Sequence, residues 1–255
     1  MTFHVITLFP GVVEAYVGCG VLGKAVQSGA IRVRCVQLRD FARDKHRTVD
    51  DYPHGGGAGM VLKPEPLFTA VEHVRGTLET AAAKAPVILM TPRGERFTAA
   101  TAMELAGLDE MIIVCGHYGG VDERVHEHLA DREISVGDFV VTGGELPALI
   151  LIDAVSRFAP GVVGSPESVE GDSYQDSLLG SPAYTRPADF RGMVVPAALL
   201  GGNHREIEKW RRREKLRRTF ERRPELLAGA ALSGEDIEFL KSLGYSPRVD
   251  RGGAR

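Results

Sequence analysis

Two glycine-rich loops near the middle of the chain most constrain how it can fold. Gly116-His117-Tyr118-Gly119-Gly120 is entered straight from the apolar run Met111-Ile112-Ile113-Val114-Cys115. Gly143-Gly144-Glu145-Leu146-Pro147 follows Phe139-Val140-Val141-Thr142. Each apolar run reads as a buried strand, and each loop as a turn at which a ligand can touch bare backbone. Neither loop spells a dinucleotide or P-loop fingerprint, so the ligand must be argued from the rest of the chain.

The first two-thirds of the sequence alternates short β-like runs with helical patterns, which predicts an α/β fold. Residues 5–8, 31–38 and 87–90 read as strands; 12–17, 66–74 and 99–106 read as helices, the last capped by Thr98. Thr91-Pro92-Arg93-Gly94 reads as a turn closing the strand at 87–90. Its end and the two glycine loops would then meet at one sheet edge, where open α/β folds bind ligands; three ordinary turns would look the same. A very apolar helix over 147–158 starts on Pro147. Residues 45–60 combine cations, Asp50, Asp51 and four glycines, the mixture expected of a loop shaped around a flat anionic group. Residues 160–173, rich in Pro, Gly and Ser, read as a mobile linker. Beyond it the chain looks helical, with Asn203 an N-cap and a last helix over 233–243. The expected division is an α/β domain over 1–160, a linker over 161–173, a helical domain over 174–245 and a disordered tail over 246–255.

The net charge of −3 hides an uneven distribution. Residues 203–223 carry ten Lys/Arg against four Glu, so this segment is +6 and the remainder −9. A basic stretch on an acidic body suits a partner bearing phosphates, although a solvated helix face would look alike. Its apolar residues do not share one face: Ile207 and Trp210 fall together and Leu216 and Phe220 roughly opposite, which predicts a bend or contacts on two sides. No apolar run approaches the roughly 20 residues of a membrane span. The first ten residues lack the basic start and apolar run of a signal peptide. Cys19, Cys35 and Cys115 are scattered, which argues against a disulfide frame. The expectation is a cytoplasmic protein with no membrane partner.

Two near-motifs fail on chemistry. Gly18-Cys19-Gly20-Val21-Leu22-Gly23 matches G-x-G-x-x-G, but a helical pattern precedes it where the fingerprint needs a strand. Lys24 stands where a Walker A has its lysine, but Ala25 cannot hold Mg²⁺ as Ser or Thr would. A helix end and turn is the expected structure there. The eight histidines form no metal constellation, so no metal ligand is assigned. Asp153 and Arg157 are the charged pair in an otherwise apolar helix; at i,i+4 they either pair with each other or offer one group to a site.

Ten ordered blocks carry a resemblance. They are Leu8-Phe9-Pro10, His46-Arg47-Thr48-Val49-Asp50-Asp51, Gly55-Gly56-Gly57, Val114-Cys115-Gly116, Asp122-Glu123-Arg124-Val125, Gly143-Gly144-Glu145-Leu146-Pro147-Ala148, Val155-Ser156-Arg157-Phe158, Tyr184-Thr185-Arg186-Pro187, Gly202-Asn203-His204 and Arg222-Arg223-Pro224-Glu225-Leu226-Leu227. Together they resemble the bacterial tRNA (guanine-N1)-methyltransferases that modify the guanosine 3′ of the anticodon. The resemblance implies a SPOUT-type α/β domain with a trefoil knot and a small C-terminal helical domain. It implies S-adenosyl-L-methionine as cofactor, the tRNA anticodon arm as partner, and a homodimer with active sites at the subunit interface. It places the donor against Leu89, Met90 and Thr91; against Gly116, Tyr118, Gly119 and Gly120; and against Val136, Gly137, Asp138, Phe139, Val140, Val141, Gly143, Gly144 and Pro147. The general base falls on Asp172 and the residue steadying guanine O6 on Arg157. Contacts to tRNA fall on Asp50, Ser168, Asn203, His204, Arg211 and Arg217. The sequence departs from the family at Gly119, where a glutamate linked to a Mg²⁺ requirement is common, which leaves that metal open. Ala58 stands where proline is common, a change of loop stiffness.

Overall fold

The computed structural model describes residues 1–78, 85–163 and 171–246. The chain divides into two compact units, residues 1–164 and 165–255.

The first unit is built on five parallel strands in the order β2-β1-β6-β5-β7. These are β1 (Thr2–Thr7), β2 (Arg32–Gln37), β5 (Val87–Arg96), β6 (Glu110–Cys115) and β7 (Arg132–Ser135). Side chains alternate across a strand. Along β6, Met111, Ile113 and Cys115 therefore enter one core and Ile112 and Val114 the other. Helices α1 (Pro10–Val17), α2 (Gly20–Gln27), α4 (Ala99–Leu105) and α6 (Glu145–Ser156) close the first core through Val13, Leu22, Leu105 and Leu151. Helices α3 (Pro64–Gly76) and α5 (Glu123–His128) close the second through Leu67, Val71 and Val125. With helices on both faces, β1 and β6 are buried throughout, and β6 reads as a continuous apolar run over Met111–Cys115. At the edge, β2 keeps Arg32 and Arg34 exposed and alternates as the sequence suggests.

Residues 45–60 form a loop that contains β3 (Asp50–Asp51) and ends at β4 (Val61–Leu62), with which β3 pairs antiparallel. Gly18 and Cys19 form the turn between α1 and α2, and Gly20–Gly23 is the first turn of α2, so the segment is not a strand-to-helix loop.

Three expectations are corrected. Thr91-Pro92-Arg93-Gly94 does not end a strand. It is an irregularity inside β5, with Met90 and Glu95 both registered on Ile134 of β7. Gly94 permits this, because a Cβ there would lie 2.4 Å from the Glu133 carbonyl carbon. Phe139-Val140-Val141-Thr142 is not a buried strand; Val140 is 81% exposed. The strand before the second loop is β7. It ends where the Ser135 hydroxyl donates to the Gly137 carbonyl (3.0 Å) and Gly137 turns at φ 155°. The apolar helix starts at Glu145, two residues before Pro147.

In the second unit, residues 171–196 are not helical as expected, and hold only the hairpin β8 (Asp189–Phe190) and β9 (Met193–Val194). Three helices follow: α7 (Ala197–Leu200), α8 (His204–Arg222) and α9 (Gly234–Ser242). Leu178, Leu216, Leu227 and Leu240 form their core. Helix α8 runs unbroken and makes contacts on two sides, with Leu216 and Phe220 in that core and Trp210 beside Tyr184 at 6.3 Å between ring centroids. Residues 164–170, most of the expected linker, and 247–255, nearly all of the expected tail, lie outside the described residues.

Arg212 links this unit electrostatically. It donates to Asp176 (3.1 Å), to Asp236 (2.9 Å) and to the Ala231 carbonyl (2.9 Å). Asp236 also closes the capping box of α9 with Ser233. Burial pushes its carboxyl up, but the Arg212 guanidinium and Ser233 outweigh that and hold it below the usual range. A carboxyl lowered in the fold stabilises above its unfolded value, and that contribution is lost as pH falls through the lowered native value. Asp236→Asn is therefore expected to cost about 2 kcal/mol at pH 7, and its deficit to shrink as pH falls below about 4. Urea unfolding read by the single tryptophan, Trp210, reports on this unit; a pH-independent deficit would contradict the account.

Candidate ligand cleft at the C-terminal edge of the sheet

The irregular middle of β5 and the C-terminal ends of β6 and β7 open onto a cavity of about 460 Å³, a size suited to a cofactor-sized ligand. Its walls are Leu89 to Arg93 of β5, the loop after β6, and the chain from Ile134 to Gly144. The two glycine loops are stitched together: the Gly144 amide donates to the Gly116 carbonyl at 2.7 Å, and His117 and Gly143 form an antiparallel bridge. A Cβ on Gly144 would lie 2.7 Å from Cys115 Cα, and one on Gly143 2.4 Å from His117 Nε2. Backbone excludes a side chain at Gly144, and one at Gly143 would have to displace the His117 ring and the Glu145 carboxylate, so the cleft surface here is bare backbone.

The outer side of the first loop is also tied down. The Gly119 amide donates to Met60 O (2.8 Å), Leu62 N to Gly120 O (3.0 Å) and Asp122 N to Leu62 O (3.0 Å). The end of the 45–60 loop thus backs the cleft. A Cβ on Gly119 would sit 2.9 Å from Met60 O, so the family's glutamate would require this backbone to move.

Beneath the second loop lies a buried carboxylate, Glu145, the first residue of α6. Thr7 at the end of β1 donates its hydroxyl to Glu145 Oε1 at 2.7 Å, and Glu145 Oε2 lies 3.6 Å from His117 Nε2. The His117 ring sits between Phe9 and Tyr118, each 5.2 Å away by centroids. Opposite, Arg93 pairs with Glu123 at 2.9 Å, and His126 Nδ1 lies 2.9 Å from Glu133.

Leu89, Met90, Thr91, Gly116, Tyr118, Gly119, Gly120, Val136, Phe139, Val140, Val141, Gly143, Gly144 and Pro147 all line the cavity. Gly137 and Asp138 belong to the same loop but do not line it. The sequence reading placed His117 in the first loop but gave its side chain no task, and it assigned no role to Glu123, His126, Ile134 or Ser135, which also line the cavity. Strand β7, which brings these last four to the cleft through its end and its lead-in helix α5, was not anticipated.

The residues expected to carry chemistry stand apart from the cavity lining. Arg157 is exposed at the C-cap of α6, in the first unit. Asp172 is half-buried in the second unit, next to Ser173, whose hydroxyl accepts from Gly180 N at 2.8 Å. Asp153 accepts a 2.7 Å hydrogen bond from the Tyr16 hydroxyl, which raises that phenol above its usual range. Asp50 lies in β3. Asn203 caps α8 by accepting from Arg205 N, and His204 opens that helix. Arg211 and Arg217 pair with Glu208 (2.9 Å) and Glu214 (3.0 Å) along it. Ser168 lies outside the described residues. Among the described residues, no three His, Cys, Asp or Glu side chains converge as a metal site, and no helix is long and apolar enough to cross a membrane.

The family model described as tRNA (Guanine-1)-methyltransferase TrmD matches residues 1–229. The chain is 53% identical over 243 residues to the tRNA (guanine-N(1)-)-methyltransferase of Geotalea uraniireducens (strain Rf4), covering 95% of this chain and 97% of that protein. It is 51% identical over 243 residues to the protein of that name from Moorella thermoacetica, covering 95% and 96%. It is 50% identical over 241 residues to the one from Geobacillus kaustophilus, covering 94% and 97%.

The backbone contact between the loops yields a sharp expectation. Gly144→Ala should destabilise the chain by about 1–3 kcal/mol, because the new methyl meets backbone that cannot rotate away. Gly11→Ala, where a Cβ meets nothing within 4 Å in α1, should be neutral or stabilising by about 0.5–1 kcal/mol. Denaturant unfolding of the two variants checks this; a wild-type midpoint for Gly144→Ala would contradict the role given to the contact.

Proposed function

The chain belongs to the tRNA (guanine-N1)-methyltransferase family, and from that premise we propose that its target is the guanosine immediately 3′ of the anticodon, position 37. The family is of the SPOUT class, transfers a methyl group to guanine N1 of tRNA, and uses S-adenosyl-L-methionine. When bound, that cofactor supplies an electrophilic methyl carbon on a sulfonium. The cleft fits it: Leu89, Ile134, Val136, Phe139 and Val140 offer an apolar slot for a flat base, while the Gly116–Gly120 and Gly143–Gly144 backbones can meet polar edges without side chains in the way.

Guanine N1 carries a proton, and its lone pair is conjugated into the ring. In the reading proposed here the Asp172 carboxylate accepts that proton as the N1–methyl bond forms. The negative charge then developing on O6 is met by the Arg157 guanidinium, a planar donor suited to that edge. The exposure of Arg157 leaves it accessible to a substrate base. Asn203, His204, Arg211 and Arg217 are the proposed tRNA contacts on the second unit, and Asp50 and Ser168 those elsewhere. Recognition would take an unstacked loop base into the site. A trefoil knot through the loops 116–144 is part of the same proposal, supported by the SPOUT assignment.

A homodimer is also proposed. Phe9, Val12 and Tyr16 around α1, and Leu146 and Ile150 on the contacting helix α6, are all exposed large apolar or aromatic side chains. A patch of this kind suits burial against a second copy. It adjoins the cleft through Leu146, which follows Gly143-Gly144-Glu145 in the chain.

The single observation carrying this reading is the pair of glycine loops, joined backbone to backbone around one cavity in a chain of this family. Methyl transfer onto tRNA transcripts with G or A 3′ of the anticodon tests it: only the G transcript should be labelled, and equal labelling would refute the assignment. Asp172→Ala is expected to slow transfer by about 10²–10⁴-fold, while calorimetric binding of S-adenosylhomocysteine stays within about twofold. Full turnover by that variant would remove Asp172 from the mechanism.

A further inference from the structure

The cations of α8 fall into two groups. Arg211, Arg212, Lys215 and Arg217 each have a carboxylate partner: Glu208 for the first, Asp176 and Asp236 for the second, Asp176 for the third and Glu214 for the fourth. Arg205, Lys209, Arg213, Arg218 and Arg222 have none among the described residues; of these, the ones that line a groove are Arg205, Lys209 and Arg213, all three exposed. They stand at i, i+4 and i+8, a spacing that places them on one stripe of the helix, about 12 Å from first to last. Arg213 lies over the Phe239 ring, its guanidinium carbon 5.5 Å from the centroid, which limits its freedom without neutralising it.

This stripe is one wall of a groove of about 540 Å³ in the second unit, whose other wall is the first turn of α9 with Phe239. The acidic residues along the groove are largely committed. Glu208 is held by Arg211 and Asp236 by Arg212, which leaves Glu235 against three unneutralised cations. A cation already paired with a carboxylate adds little net field and releases few counterions when a phosphate arrives. An unpaired one contributes fully to both.

We propose that this groove seats a short run of phosphodiesters of the tRNA substrate, and that Arg205, Lys209 and Arg213, rather than Arg211 and Arg217, supply the main cationic grip. The proposal rests on the tRNA reading above. It changes which residues of the basic helix carry that reading, and it makes the contact one of backbone charge. The stripe spans two or three successive phosphates. Because phosphates are the same in every sequence, the groove positions the RNA and leaves the choice of base to the cleft.

The test is filter binding of an unmodified tRNA transcript to the full-length protein over a salt series. Arg205→Ala/Lys209→Ala/Arg213→Ala is expected to raise the dissociation constant tenfold or more. It should also flatten the slope of log K against log salt by about 2–3, one unit or slightly less per lost phosphate contact. Arg211→Ala/Arg217→Ala should change both much less. Binding of S-adenosylhomocysteine should be unchanged in every variant. The charge-keeping triple Arg205→Lys/Lys209→Arg/Arg213→Lys should retain the wild-type slope, which separates charge from folding. Wild-type affinity and slope in the alanine triple, or an equal loss in the Arg211/Arg217 double, would overturn the groove assignment while leaving the methyltransferase reading intact. Absence of saturable tRNA binding by the wild-type protein would overturn both.

Discussion

The hydrogen bond from the Gly144 amide to the Gly116 carbonyl, 2.7 Å long, is the contact on which the cleft depends. It joins two segments 28 residues apart in sequence at a distance that no side chain on Gly144 would permit. With the loops held this way, α6 begins directly behind the first loop and its first residue, Glu145, is buried there. A buried carboxylate must be partnered or it destabilises the fold. Thr7 and His117 meet that requirement, one from the end of β1 and one from the first loop. The same arrangement therefore fixes the position of α6, the rotamer of His117 and two walls of the cavity. Backbone proximity comes first, and the side-chain network follows from it.

Much of the first unit was legible because helices cover the sheet on both faces. A strand buried on both sides has no polar alternation, and Met111-Ile112-Ile113-Val114-Cys115 could hardly be anything else. The same logic misled at Phe139-Val140-Val141-Thr142. Hydrophobicity reports that a segment has an apolar neighbour, not that the neighbour is a sheet. Here the run follows the turn at Gly137 and borders the cavity, with Phe139 and Val140 largely exposed. At Thr91-Pro92-Arg93-Gly94 the turn chemistry was read correctly but its consequence was not. The chain does bulge, yet the absence of a side chain at Gly94 lets it resume pairing with β7. The partners His126 and Glu133 stand on α5 and β7, and only the packing of α5 beside β7 brings them together. No local pattern in the sequence encodes that. The early part of the second unit was misread as helical for a different reason. Residues 171–196 are broken by Pro182, Pro187 and Pro196, and their order comes from contacts such as the Leu179 amide on Thr219 (2.9 Å), which no periodicity reveals.

The cleft and the proposed chemistry are divided between different kinds of group. The lining is dominated by glycine backbone and apolar side chains, while Arg157 sits at the end of α6 and Asp172 belongs to the other compact unit. In the proposed mechanism the glycine backbone holds the donor, and charged side chains outside the lining activate the acceptor.

Electrostatics supplies the last link between this cleft and its donor. S-adenosylmethionine carries a positive sulfonium, so a pocket with unneutralised cations would oppose binding in the low-dielectric space where charge interactions are strongest. The groups along this cleft that can carry positive charge each face a carboxylate: Arg93 faces Glu123, His126 faces Glu133 and His117 faces Glu145. With each potential cation matched to a carboxylate, the cleft lining carries no surplus positive charge. The chain's surplus positive charge is gathered instead on α8, in the other unit, where the expected ligand is a polyanion. Charge is thus sorted along one sequence of net charge −3: the cations lining the cleft are each matched to a carboxylate, and unmatched cations stand on α8, where the proposed ligand is a polyanion.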